Sequence, residues 1–386
     1  MAGDEAATRR RHVAFFRAWF EAAYEQHLWA RRTAPEWLAA YAPDADNGLA
    51  ALEHAMAHDA ESAVALVPGL AQALARRHAE RFAVWHRTER LLADTLPDGV
   101  RACWQLGFGQ FWGVNSEQRS RPHARAAAAL FRAAGHAAGE YRAESILAYT
   151  INPGTDERAD AALVRLKELE RADWPADLRF LRRWAEATRL ASAGRYDEAY
   201  EAGQACMELI RQSGRGGRLI HENGMMYLSI MTDRLDDAIE RGLAGMRRRL
   251  ALQRNAPASG TELLLLSAWL LRGDIAPARE TGPAVWEAGL AFNQKAAVAD
   301  TLTLLAARDG RPRAAVLLAG YAAAEYERGA TRRLPMYQRC GEAAAAIAAR
   351  ALPAEAIAAL QERGRHWPDS GVPALAFGTT DVDDGA

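Results

Sequence analysis

The sequence predicts an all-α protein organised around a run of repeated helical hairpins. Four tight turns recur between Leu178 and Ala315: Gly194-Arg195-Tyr196-Asp197-Glu198-Ala199, Asp233-Arg234-Leu235-Asp236-Asp237-Ala238, Gly273-Asp274-Ile275-Ala276-Pro277-Ala278 and Gly310-Arg311-Pro312-Arg313-Ala314-Ala315. Their closing alanines stand 39, 40 and 37 residues apart. The segments outside the turns carry apolar residues in steps of three and four, the helical period. A period of roughly 34–47 residues marks tetratricopeptide-like repeats. The expected architecture is therefore a tetratricopeptide-like right-handed helical-repeat array, an α-solenoid.

The N-terminal subdomain is expected over 1–113. From Ala7 to Arg31, Val13, Phe16, Trp19, Phe20, Ala23 and Tyr24 form one helical stripe. Pro35 opens a short helix through Trp37 and Leu38, as proline does in a first turn. Helices follow up to His58, from Asp59 to about Arg77, from Arg81 to Leu96 and from Asp98 to Trp112. Pro68 and Gly69 predict a kink or an early break in the second of these. Gly113 to Pro122 reads as a polar loop at a sub-domain boundary.

Transitional helices fill 114–177. Here Gly139-Glu140-Tyr141-Arg142-Ala143 resembles the turn at Gly194 and suggests a weaker repeat. Asn152-Pro153-Gly154-Thr155 is a turn, and Leu163, Leu166 and Leu169 stripe the helix after it. The four repeats occupy 178–330. Ala199, Ala238, Ala278 and Ala315 are small enough for close helix crossings, and Trp184, Tyr196, Leu228, Leu235, Trp269 and Ile275 fill the space between neighbours. One hairpin cannot bury its apolar face alone; a stack can. Capping helices are expected over 331–365. The segment 366–386, with Pro368, Gly371, Pro373, Asp381, Asp383 and Asp384, reads as a mobile acidic tail.

The chain has 386 residues, half of them hydrophobic, and a formal net charge of −1. Near-neutrality argues against a nucleic-acid surface covering the molecule. Arginine supplies nearly all the positive charge, because Lys167 and Lys295 are the only lysines. Cys103, Cys206 and Cys340 are far apart and odd in number, which fits a reducing cytoplasm better than a disulfide framework. Arg9-Arg10-Arg11 is not followed by the apolar core of a signal peptide. The longest apolar run, Leu263 to Leu271, is far short of the roughly 20 residues that span a bilayer. No membrane partner is expected.

Candidate chemistry is sparse. His54 and His58 share a helix face, as zinc ligands can, but lack a third ligand nearby in sequence and the intervening glutamate of a metalloprotease helix. The loop Gly214 to Gly217, with Arg215 and Arg218, could cradle a phosphate, yet has no P-loop lysine or hydroxyl. Arg247-Arg248-Arg249 spreads around a helix rather than forming one stripe. Trp104, Phe108, Phe111 and Trp112, with Gly107 and Gly109, read as core packing or as the wall of a ligand pocket. No Ser/His/Asp or Cys/His arrangement is assembled by spacing, and no cofactor is expected.

The N-terminal pattern is more specific than the repeats. Arg11-His12-Val13-Ala14-Phe15-Phe16, Thr33-Ala34-Pro35-Glu36-Trp37-Leu38 and Asp46-Asn47-Gly48-Leu49-Ala50-Ala51-Leu52 resemble the start of the helical-repeat region in bacterial winged-helix/P-loop ATPase transcriptional regulators. Leu317 to Arg363 is similar to the end of that region. The chain departs from those regulators in having no Walker motif, ATPase module or winged helix, so ATP hydrolysis and DNA binding do not carry over. It reads as an excised domain or a free-standing relative. The resemblance implies a non-enzymatic sensor module for signal transduction, which binds a partner protein, a peptide or a small inducer on its concave face. No direct contact with nucleic acid is implied. Arg183, Arg218, His221 and Glu262 are the candidates for that face. A free-standing protein-interaction scaffold is the alternative. A second alternative is a small-molecule carrier or enzyme with a pocket near Trp104, Phe108 and Trp112.

Overall fold

The computed structural model describes all residues except 1, 33, 76, 113–116, 150–156, 213–218, 253–259, 292–293, 330–332 and 383–386. Side chains are also left out at 2–4, 34–35, 78, 117–118, 157, 212, 219–221, 249 and 251–252. The glycine-rich loop at Gly214, the turn at Asn152-Pro153-Gly154-Thr155, Arg218 and the His221 side chain lie outside the described residues. Among the described residues the regular structure is helical, with no strand. No helix there is long and apolar enough to cross a membrane.

The chain forms two compact units, one of Met1–Gly194 with Ala205–Gly216, the other of Arg195–Gln204 with Gly217–Ala386. The first unit holds α1 (Ala2–Leu28), α2 (Ala34–Tyr41), α3 (Ala45–His58), α4 (Ala60–Ala73), α5 (His78–Glu89), α6 (Asp98–Trp112), α7 (Glu117–Ala133), α8 (Ala137–Ala148), α9 (Glu157–Leu169) and α10 (Ala176–Ser192). α11 (Tyr196–Gln212) has residues in both units.

α4 is the hub of the N-terminal helices. It packs on α1, α2, α3, α5 and α6, and every residue from Ser62 to Ala71 is buried. Asp59 caps it by accepting from the Ser62 amide at 3.0 Å. The break expected at Pro68 is absent: α4 runs through Pro68 and Gly69 to Ala73. Gly69 explains its fit. A Cβ there would stand 2.2 Å from the Phe20 carbonyl oxygen, so only glycine lets α1 and α4 cross this closely. Likewise Gly113 to Pro122 is not all loop, because α7 begins at Glu117 and contains Pro122.

The second unit holds α12 (Leu219–Met231), α13 (Leu235–Leu252), α14 (Gly260–Arg272), α15 (Ile275–Ala291), α16 (Lys295–Arg308), α17 (Pro312–Arg328), α18 (Pro335–Ala351), α19 (Ala354–Arg365) and α20 (Val372–Phe377). From α12 to α18 each helix packs against the next, and α12, α14, α16 and α18 also pack on one another in succession.

The turns share one backbone solution. Gly194, Asp233, Gly273 and Gly310 adopt φ of +76°, +62°, +108° and +75°. Three of these turns close with an amide bonding five residues back: Arg234 to Ser229, Asp274 to Trp269 and Arg311 to Ala306. This is the Schellman motif, which satisfies the last carbonyls of one helix. The next helix starts at once, since Ala238 and Ala315 donate to the carbonyls of Arg234 and Arg311. The weaker turn is displaced from its expected place. Gly135, at φ +67°, holds the left-handed position, and His136 donates to Phe131. Gly139 instead lies inside α8 and faces the Phe131 ring.

The expected mobile tail is docked where it is described. Val372, Leu375 and Ala376 are buried against the core of α15, α16 and α17. Arg311 donates to the carbonyls of Leu375 and Ala376. Asp369 accepts from Tyr321 at 2.7 Å and from Lys295 at 3.1 Å. Asp381 accepts from the amides of Arg313 and Ala314, at the start of α17, where the helix dipole favours an anion. Acidity here fits a binding site on the protein's own helix end.

α17 and α19 cross at two glycines. A Cβ on Gly320 would lie 2.1 Å from the Gln361 oxygen, and one on Gly364 would lie 2.1 Å from the Leu317 oxygen. Backbone cannot yield as a side chain can. Gly320→Ala and Gly364→Ala should each destabilise by about 2–3 kcal/mol, read as a lower urea midpoint. Gly99→Ala, which meets nothing within 4 Å, should not destabilise.

Candidate functional site

The aromatic group of α6 is core rather than pocket wall. Trp104 is 0 % and Phe108 3 % exposed. Their rings meet Trp85, His86 and His123 at centroid distances of 4.7–6.0 Å. Gly107 is filled from outside, since a Cβ there would stand 2.5 Å from the Trp85 ring. Trp112 is half-buried at the end of the cluster, beneath the Arg119 guanidinium at 4.6 Å. The glycines thus serve close helix approach.

Of the four residues assigned to a concave face, the side chains of Arg183 and Glu262 are described. Glu262 is 2 % exposed within α14, so it belongs to the interior of the second unit. Arg183 is exposed on α10 of the first. His54 and His58 stack at 4.3 Å, and no group of three His, Cys, Asp or Glu among the described residues could hold a metal ion.

The feature that stands out is an open cleft of about 530 Å³ between α7, α8 and α9, lined by Arg121, Arg125, Arg132, Glu144, Leu147, Arg158, Ala161, Ala162 and Arg165. Helical periodicity builds it. Arg121, Arg125 and Arg132 are spaced by four and seven and share one face of α7. Arg158, Ala161, Ala162 and Arg165 do the same on α9. α8 packs on both helices and contributes Glu144 and Leu147, one turn apart.

Glu140, one turn before Glu144, fastens the three helices. Its carboxylate accepts from Arg132 Nε at 2.7 Å and Arg165 Nε at 2.8 Å while its side chain is only 4 % exposed. Burial pushes its pKa up, but the hydrogen bonds from Arg165 and Arg132 outweigh that, and it titrates below the usual glutamate range. Glu144 goes the other way. Burial raises it above its ordinary value despite Arg132 Nη2 at 2.8 Å. Arg132 is bound through Nε and Nη2, and Arg165 through all three of its nitrogens, by Glu140, Glu144 and Glu168. The Arg132 and Arg165 side chains remain 53 % and 33 % exposed, and Arg125 is exposed with no ion-pair partner among the described residues. Five arginines and Glu144 line the cleft, and Glu140 and Glu168 pair with two of those arginines, so the basic groups outnumber these three acids by two.

Sequence reading passed over this cleft because its members sit in three helices, far apart along the chain. The available signal was the spacing of Arg121, Arg125 and Arg132, answered by Arg158 and Arg165.

A second polar group is buried in the second unit. Asp300 on α16 is 1 % exposed, with Arg333 Nε at 2.8 Å. Burial pushes its carboxyl up to about 7, against the pull of Arg333 and Tyr326. The three thiols are not poised for nucleophilic chemistry, as burial pushes each up to about 12.

No family model matches the chain, and comparison with curated proteins gives no match.

Two titration experiments follow from these acids. Glu140 sits below its unfolded value, so it stabilises above about pH 4 and that contribution fades as pH falls through the lower folded value. Glu140→Gln should cost about 1–2 kcal/mol at neutral pH, discounted for the partly exposed arginines, and the deficit should shrink on acidification. Asp300 has the opposite sign. Its folded value is raised, so its contribution is present below about pH 4 and is lost as pH rises towards 7. The urea midpoint of Asp300→Asn relative to the parent should therefore climb between pH 4 and 7, and a flat difference would contradict the raised carboxyl.

Proposed function

We propose that this chain is a non-enzymatic, tetratricopeptide-like sensor module of a signal-responsive transcriptional regulator, working in the cytoplasm. The observation that carries the reading is the recurrence of one turn. Left-handed residues at 194, 233, 273 and 310 repeat at intervals of 39, 40 and 37 residues, and the alternate helices of the second unit pack in succession. Such arrays build extended surfaces for binding rather than enclosed catalytic sites. The resemblance of the Trp37-Leu38 and Asp46-Asn47 segments to the repeat region of bacterial ATPase regulators supports the regulatory role.

The arginine cleft supports binding over catalysis. It offers hydrogen-bond donors and positive charge around a solvent-open space, and its lining among the described residues holds no serine, cysteine or histidine. A volume of about 530 Å³ lies within the range of small-molecule sites, which favours an inducer over an extended peptide.

Native mass spectrometry of the full chain, purified gently from its own cells, tests this. The expected result is a discrete added mass, retained in native spectra and lost on denaturation. A bare chain at every salt concentration would count against a sensor.

A further inference from the structure

We infer that the cleft between α7, α8 and α9 is a binding site for a small organic polyanion carrying a diphosphate or two phosphate groups. The inference rests on the sensor reading and adds the chemical class of the effector. Guanidinium groups match phosphate oxygens in paired, fork-like hydrogen bonds. Here they come from both flanking helices: Arg121, Arg125 and Arg132 from α7, Arg158 and Arg165 from α9. Guanidinium groups gathered from two helices raise the local positive potential and favour an anion between them. A monocarboxylate brings one negative charge to these guanidinium groups; a diphosphate brings more, on oxygens that several of them can share.

Two further features select against other anions. Glu140 anchors Arg132 and Arg165 from below, so both guanidinium groups are held in place and lose little freedom when a ligand arrives. The remaining lining is apolar, with Leu147, Ala161 and Ala162 available to the organic part. The space suits a small molecule and is short for a nucleic-acid strand, whose recognition depends on a tracking groove with stacked aromatics.

Isothermal titration of the full chain with inorganic pyrophosphate, at low ionic strength, tests the site. Arg125→Glu is the diagnostic variant, because Arg125 is exposed and unpartnered among the described residues and its loss should leave folding intact. Arg10→Glu, an exposed arginine on α1, is the control for overall charge. The expected result is saturable binding at one site per chain, weaker with rising salt. Arg125→Glu should weaken it by about tenfold or more, with unchanged circular dichroism and melting temperature, and Arg10→Glu should leave it unchanged. Absence of saturable binding would overturn the inference. So would an equal loss in both variants, or tighter binding of a single-stranded oligonucleotide than of pyrophosphate. If pyrophosphate fails while native spectra retain a neutral molecule, the anion site falls and the sensor reading stands. A bare native chain removes the sensor reading itself.

Discussion

The structure depends on a backbone constraint. At each tight turn one residue must take left-handed dihedrals so that an outgoing helix can end and the next begin within two residues. Glycine meets this at 135, 194, 273 and 310 because it has no Cβ to strike the following carbonyl. Asp233 meets it as one of the few side-chain-bearing residues that tolerate the region. Arg339 then holds that turn from another helix by bonding the Asp233 carboxylate and the Ile230 carbonyl. In the second unit, once the turns at 233, 273 and 310 are fixed, consecutive helices pack as neighbours and their apolar faces have a place to be buried.

Close crossings use the space the turns create. Gly69 against the Phe20 carbonyl, and Gly320 and Gly364 against each other's helices, bring backbones nearer than any Cβ permits. Larger side chains then fill the intervening layers, as Trp286 and Tyr321 do in the second unit at 1 % and 0 % exposure. Glu140, buried among these layers, holds two arginines, and the half-exposed Asp369 holds Lys295 and Tyr321. Arg311, 3 % exposed, spends its donors on two carbonyls of the C-terminal helix and on Asp309.

Local order was legible in the sequence and tertiary recognition was not. The helical class, the stripe at Val13, Phe16, Phe20 and Tyr24, and the turns at 194, 233, 273 and 310 all follow from spacing and turn chemistry. The tail at 366–382 was misread because its apolar content, Val372, Leu375, Ala376 and Phe377, is too short to signal a helix on its own. Its acids resemble solvated charge until Asp381 is seen on the amides of Arg313 and Ala314. Pro68 was read as a breaker, yet packing on all sides of α4 sustains the helix through it. The site was the least legible feature. Trp104 and Phe108 drew attention by composition and turned out to be interior, whereas the cleft arginines gain meaning only once α7 and α9 flank α8.

Binding at the arginine cleft is the centre of this account, and hydrogen exchange of the natively purified protein against the same protein stripped of bound small molecules tests it most directly. The account predicts slower exchange on ligand retention confined to α7, α8 and α9, with 121–132, 140–147 and 158–165 the most protected. Protection centred on 104–112, or on α14 around Glu262 with none in α7 to α9, would contradict it.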